Sequence, residues 1–143
     1  MGDRKPNFVL LFVLQIGAAT AILAAIVFLP TPWNWAHWLG LAIAIPAVFL
    51  LFAARYQLGS SFSVTPQARQ LVRHGIYSKI RNPIYVFSAL LVFGFLLAVQ
   101  KPALFVLLAL LIPVQIIRAG QESKVLEEKF GDEYREYKQS TWF

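Results

Sequence analysis

The residues best equipped for chemistry lie between Leu71 and Tyr85, where LVRHGIYSKIRNPIY sets Arg73, His74, Lys79, Arg81, Asn82, Tyr77 and Tyr85 between long apolar runs. Cationic side chains are costly in hydrocarbon, and Pro83 disfavours helix at Asn82. The stretch therefore reads as a juxtamembrane loop that stops where a new helix opens, with Pro83 in the first turn, where its missing N–H costs nothing. A second polar feature follows the last apolar run. Glu122, Leu126, Phe130, Tyr134 and Tyr137 recur at helical spacing on one face. An acid on such a stripe needs a partner. That partner is either Arg118, one turn earlier in a purely structural pair, or the Leu71–Tyr85 loop together with a bound cation. Glu127, Glu128, Asp132, Glu133 and Glu136 belong to the solvated face.

The elements that must hold these groups are apolar. Of 143 residues, 58% are hydrophobic and 14% charged, with mean hydropathy +0.61; soluble domains carry about 25% charge. The expected fold is one all-α integral membrane domain over residues 1–143. Four transmembrane helices are expected at about 8–29, 39–54, 84–99 and 103–117, with a cytoplasmic loop at 55–83 and a C-terminal amphipathic segment at 118–143. The first run follows Arg4 and Lys5 but is too long for a signal-peptide core, and a second run follows almost at once. Pro6 stands where a myristoylation signal beginning at Met1-Gly2 would need Ser or Thr.

Pro30 to Trp38, rich in proline and tryptophan, reads as an interfacial turn in which His37 is solvated. Pro46 invites a kink in the second span. Gly59, Ser60, Ser61, Ser63, Thr65 and Pro66 mark the long loop, and Gln100, Lys101 and Pro102 join an antiparallel hairpin. With both termini cytoplasmic, twelve of the thirteen Lys and Arg fall on the cytoplasmic side, Lys101 being the exception. The net charge of +6 is thus a membrane-topology signal, and no nucleic-acid partner is expected. Zero cysteines exclude disulfides, thiolate metal ligands and a cysteine nucleophile, and no metal site is expected.

Two motifs carry a resemblance over about half of the chain, from Leu71 onward. LVRHGIYSKIRNPIY, a hydrophobic hairpin, and E-x-x-x-L-x-x-x-F-G-x-x-Y-x-x-Y from Glu122 to Tyr137 resemble the isoprenylcysteine carboxyl methyltransferase and phospholipid methyltransferase superfamily. The resemblance implies an integral-membrane enzyme that uses S-adenosylmethionine without a dinucleotide-type fold, bound between the loop and the C-terminal segment. The absence of G-x-G-x-x-G agrees. By resemblance, Gly75, Tyr77, Arg81, Asn82, Pro83, Tyr85 and Glu122 fall in the cofactor site, with Glu122 and Arg81 as the catalytic candidates. The chain departs from the family in four places. Asn82 replaces the usual histidine, Phe87 stands where glycine is common, Ser123 replaces the second of two paired acids, and the final V-P-R segment is missing.

The implied chemistry suits the residues. Methyl transfer from a sulfonium is an in-line displacement, so the protein mainly positions two reactants and excludes water. Glu122 can hold the donor's ammonium or oppose its sulfonium. Tyr77 and Tyr85 offer cation–π faces, and Arg81 can grip a carboxylate with two donors. The acceptor is expected to be a lipophilic or lipid molecule entering from the bilayer, a carboxylate in preference to an amine, because His74 lies outside the motif and Asn82 cannot titrate. Two alternatives remain open: N-methylation of a phospholipid or other amine, and a non-catalytic four-helix membrane protein such as a transporter subunit or assembly factor. Ionisable residues are missing from the spans, which counts against transport.

Overall fold

In the computed structural model the described residues are 8–58 and 71–143. The Met1–Pro6 segment with Arg4 and Lys5, and the turn formers from Gly59 to Pro66, lie outside them. The order is α1 (Phe8–Phe28), α2 (Trp35–Leu58), a 3-10 turn (Gly75–Ser78), α3 (Pro83–Val99), a second 3-10 turn (Pro102–Phe105), α4 (Val106–Phe130) and α5 (Asp132–Ser140). The fold is all-helical; among the described residues the sole β contact is an isolated parallel bridge between Ile80 and Trp142. α2 and the segment Pro102–Phe130 are long and apolar enough to cross a membrane, while Phe12–Phe28 and Pro83–Val99 are shorter apolar helices.

The core is the α2–α3 crossing. A Cβ on Gly40 would sit 2.5 Å from the Gly94 carbonyl oxygen and 2.8 Å from Ala98 Cβ; one on Gly94 would sit 2.7 Å from the Gly40 oxygen. The two backbones therefore touch, the close approach that small residues permit where lipid supplies no hydrophobic drive. Ala44, Ala47, Leu51 and Ala54 of α2 and Phe87, Leu91 and Ala98 of α3 continue the contact, with Ala19 and Ile26 of α1 against it.

Three boundaries differ from the sequence expectation, each for a local reason. The interfacial turn is shorter, because Asn34 Oδ1 accepts from the backbone N–H groups of Ala36 (3.1 Å) and His37 (3.3 Å) and so caps α2 at Trp35 rather than Leu39. That cap puts His37 on the same face as Gly40, Ala44 and Ala47, and it is fully buried instead of solvated. Its Nδ1 lies 3.3 Å from Thr31 Oγ1 and its ring 4.2 Å from that of Trp33.

At its other end α2 runs on to Leu58, which carries Arg55 out of the expected loop and onto the buried face, 1% exposed. Finally, the span expected to end at Ile117 and the tail expected to begin at Arg118 are one helix. From Arg118 to Phe130 the chain carries three Glu and two Lys with Arg118, Ala119, Gln121 and Leu126, all of which favour helix, and the first break is Gly131 at φ 56°. Pro46 and Pro113 sit inside helices without ending them.

Candidate active site

The loop, α5 and the last residues of the chain are tied to one another. Gly75 opens the first 3-10 turn at φ 59°, and a Cβ there would run into the side chain of Gln57, whose Oε1 accepts from the Ile76 N–H at 2.8 Å. Glycine is thus required twice, by conformation and by space. The turn buries Tyr77, and the Tyr77 carbonyl accepts from the Tyr137 hydroxyl at 2.7 Å. Tyr134, also buried, donates to Ser123 Oγ at 2.8 Å and so folds α5 back onto α4. Ser123, standing where the related pattern has a second acid, is engaged in this packing. Arg135 spans the glycine break, reaching Glu127 (2.8 Å) and Asp132 (2.7 Å); both pairs are exposed and contribute little individually.

Residues 79–82 then pair with the chain end. Trp142 N–H donates to the Lys79 carbonyl (3.1 Å), Arg81 N–H to the Trp142 carbonyl (3.2 Å) and Asn82 N–H to the Phe143 carbonyl (2.8 Å). Arg81 Nη1 donates to the Lys138 carbonyl (3.2 Å) and lies 3.4 Å from Thr141 Oγ1. Its Nε is buried and has no hydrogen-bond partner among the described residues. Asn82 precedes α3 without a side-chain cap bond, and Pro83 is buried in the first turn.

The acid meets the loop side of the structure. Tyr85, two residues into α3, donates its hydroxyl to Glu122 Oε1 at 2.5 Å, and the Arg118 guanidinium lies 5.8 Å from the Tyr85 ring centre. The phenol of Tyr77 is close enough to feel Tyr137, Arg55, Glu122 and Tyr85. Burial first, and then Tyr137, hold Tyr77 well above the usual phenol range. Burial and the neighbouring Tyr134 push Tyr137 up to about 12. Both therefore keep their protons throughout the physiological range.

The structure thus brings Tyr77, Tyr85 and Glu122 together, sets Arg81 against the end of α5, and gives Gly75 and Pro83 backbone roles. It adds a buried cation, Arg55, that the sequence reading left in the loop. The signal for it was an arginine at helical spacing from Ala47, Val48 and Leu51, with no turn former before Gly59. The buried Arg81 Nε, the half-buried Glu122 carboxylate and the tyrosine faces are groups of the kinds that suit a small zwitterion bearing an extra positive charge.

α3 has two working faces. Phe87, the departure from glycine, packs into the core against α2. The other face, with Tyr85, Ala89, Leu90 and Phe93, joins Leu108, Ile112, Gln115 and Ile116 of α4 around an apolar groove of about 370 Å³, bordered by Phe143. Gln115 turns its amide onto Ser88 Oγ (2.9 Å). The groove begins at the residue that holds Glu122, within the size range of small-molecule sites.

A sequence profile of the phospholipid methyltransferase family matches residues 35–133, which include α2, the described part of the loop, the Tyr85–Glu122 pair, the α3 and α4 walls of the groove and Gly131. No individual curated protein gives a match. With most of its length covered by that profile, and with the loop and α4 meeting as the two sequence motifs require, the chain belongs to the phospholipid methyltransferase family.

Proposed function

We propose that this chain transfers a methyl group from S-adenosylmethionine to the polar head of a lipid-like acceptor whose chain lies in the α3–α4 groove. The observation that carries the reading is the Tyr85–Glu122 hydrogen bond at the mouth of that groove. A carboxylate and an aromatic face stand where an apolar slot ends. The donor set fits the cofactor: Arg81 Nε offers a buried donor to its carboxylate, Glu122 an anion to its ammonium or sulfonium, and Tyr77 and Tyr85 their rings. When bound, S-adenosylmethionine supplies an electrophilic methyl group on a cationic sulfur.

The chain's own residues do the rest. Glu122, held by the Tyr85 hydroxyl, faces the positive charge of the donor. The apolar walls exclude water and orient the acceptor head, so that positioning, the larger part of such a displacement, is done by packing. Calorimetric titration of the full chain in detergent with S-adenosylmethionine is expected to show one binding site per chain. No heat of binding at millimolar cofactor would contradict the reading.

Arg81 is proposed to grip by geometry more than by charge. Arg81→Lys keeps the charge and loses the planar fork, so cofactor affinity is expected to fall about tenfold. Asn82→His, at a side chain that caps nothing, is expected to change it by less than about twofold. A loss in the second with no loss in the first would reverse these roles.

The charge distribution supports four membrane crossings with both termini cytoplasmic. Cysteine can be introduced singly into a chain that has none. At Asn34 it is expected to react with an impermeant thiol reagent in intact cells, and at Ser140 to be shielded; labelling at Ser140 would contradict this orientation.

A further inference from the structure

The interior of the protein does little to hold residues 141–143. Among the described residues, three backbone hydrogen bonds tie them to residues 79–82, and none of Thr141, Trp142 and Phe143 is buried. A segment with so little apolar contact opens readily unless something outside the fold holds it. Arg81 nevertheless depends on it. The Arg81 N–H donates to the Trp142 carbonyl at 3.2 Å, and its Nη1 donates to the Lys138 carbonyl and lies 3.4 Å from Thr141 Oγ1. Thr141 Oγ1 in turn donates to the Tyr137 carbonyl at 2.9 Å. The end of α5 and the strap that follows it therefore set the direction of the Arg81 guanidinium.

The position of the strap shows what holds it from outside. Asn82, whose N–H donates to the Phe143 carbonyl, is the residue before α3 opens, and Phe143 borders the α3–α4 groove. Trp142 and Phe143 thus lie level with the first turn of α3, where the polar loop gives way to an apolar helix. Trp142 is 59% exposed at that level. An indole left open where an apolar helix meets the polar loop suits the lipid headgroup layer, which accommodates both its apolar body and its N–H. Lys79 and Lys138, whose carbonyls take the bonds from Trp142 and Arg81, are exposed at the same junction. Ammonium groups there are drawn to anionic headgroups. Of the three acids on α5, Asp132 and Glu133 are paired with Arg135 and Arg73, so they do not offset the two lysines.

We infer that Trp142 anchors the 141–143 strap in a lipid headgroup layer, preferentially an anionic one, and through the strap is a positioning residue for Arg81. The anchoring stands by itself, and its consequence for the cofactor rests on the role proposed for Arg81. The docked indole supplies the hold that interior packing lacks and keeps the strap on residues 79–82. The planar fork of Arg81 is then set before a carboxylate arrives, which lowers the ordering cost of binding.

The test uses the full chain in nanodiscs of phosphatidylcholine, alone or mixed with phosphatidylglycerol. Hydrogen exchange at residues 79–82 and 138–143 and calorimetric S-adenosylmethionine affinity are read on the same samples. Phosphatidylglycerol is expected to slow exchange at both segments in the wild-type chain. Trp142→Gln is expected to speed that exchange about tenfold and to lower cofactor affinity about fivefold. Trp142→Tyr, which keeps an interfacial ring, is expected to restore most of both. Exchange that is equal in the wild-type chain and Trp142→Gln, or that ignores lipid composition in the wild-type chain, would overturn the inference. Faster exchange in Trp142→Gln with cofactor affinity unchanged would overturn the positioning of Arg81. The expected exchange pattern with no S-adenosylmethionine binding in any sample would keep the anchor and overturn the methyl-transfer reading instead.

Discussion

Glu122→Gln is expected to weaken S-adenosylmethionine binding about ten- to a hundredfold, whereas Glu128→Gln leaves it within about twofold. The estimate follows from a hydrogen bond to a charged group, worth about 1.5 to 3 kcal/mol, at about 1.4 kcal/mol per tenfold. Both residues lie on α4, but Glu128 is exposed and Glu122 is half-buried with its carboxylate on the Tyr85 hydroxyl. Glutamine preserves size and an acceptor for Tyr85, so the fold is retained and the charge alone is lost. Isothermal titration on the two variants decides the matter. Equal affinities would return Glu122 to the bland reading, a structural partner of Arg118.

The second large effect is in the pH profile, and it separates the two kinds of acceptor. A carboxylate acceptor is ionised above about pH 5 and attacks without a base, so with saturating cofactor the methylation rate is expected to be nearly level from about pH 6 to 8.5. An alkylamine with a pKa near that of lysine, about 10.4, must first lose its proton, and without an effective base its rate climbs about tenfold per pH unit. The tyrosines cannot imitate that slope. Tyr77 is held above the phenol range by burial and Tyr137 is pushed up to about 12, so neither ionises in this window. Our preference is the level profile, because Glu122 is engaged with Tyr85 and proposed to face the cofactor, while His74 lies exposed at the edge of the loop turn. A rate that rises steeply, with cofactor affinity constant, would turn the assignment to an amine acceptor.

Much of this could be read from local pattern. The apolar runs, the start of α3 at Pro83, the break at Gly131 and the inward face carrying Glu122, Tyr134 and Tyr137 all depend on residues within a turn or two of one another. What escaped depends on distance or on single caps. One side chain, Asn34, moved the start of α2 and buried His37. The continuity of α4 was hidden by the change from apolar to charged composition at Arg118, because hydropathy marks where a membrane would end and not where a helix does. Residues 141–143 pair with 79–82 about sixty positions away, a contact that no local periodicity encodes. The groove was invisible for the same reason: it exists because Gly40 and Gly94 draw α3 against α2, leaving the opposite face of α3 to α4.

The most direct test of methyl transfer itself is the movement of a labelled methyl group. Membranes containing the chain, supplied with S-adenosylmethionine labelled in its methyl carbon, are expected to pass the label into material extracted by chloroform, and membranes containing Glu122→Gln to pass much less. Label that stays wholly in the aqueous phase, or that reaches the lipid fraction equally with the wild-type chain, the variant and empty membranes, would contradict the account.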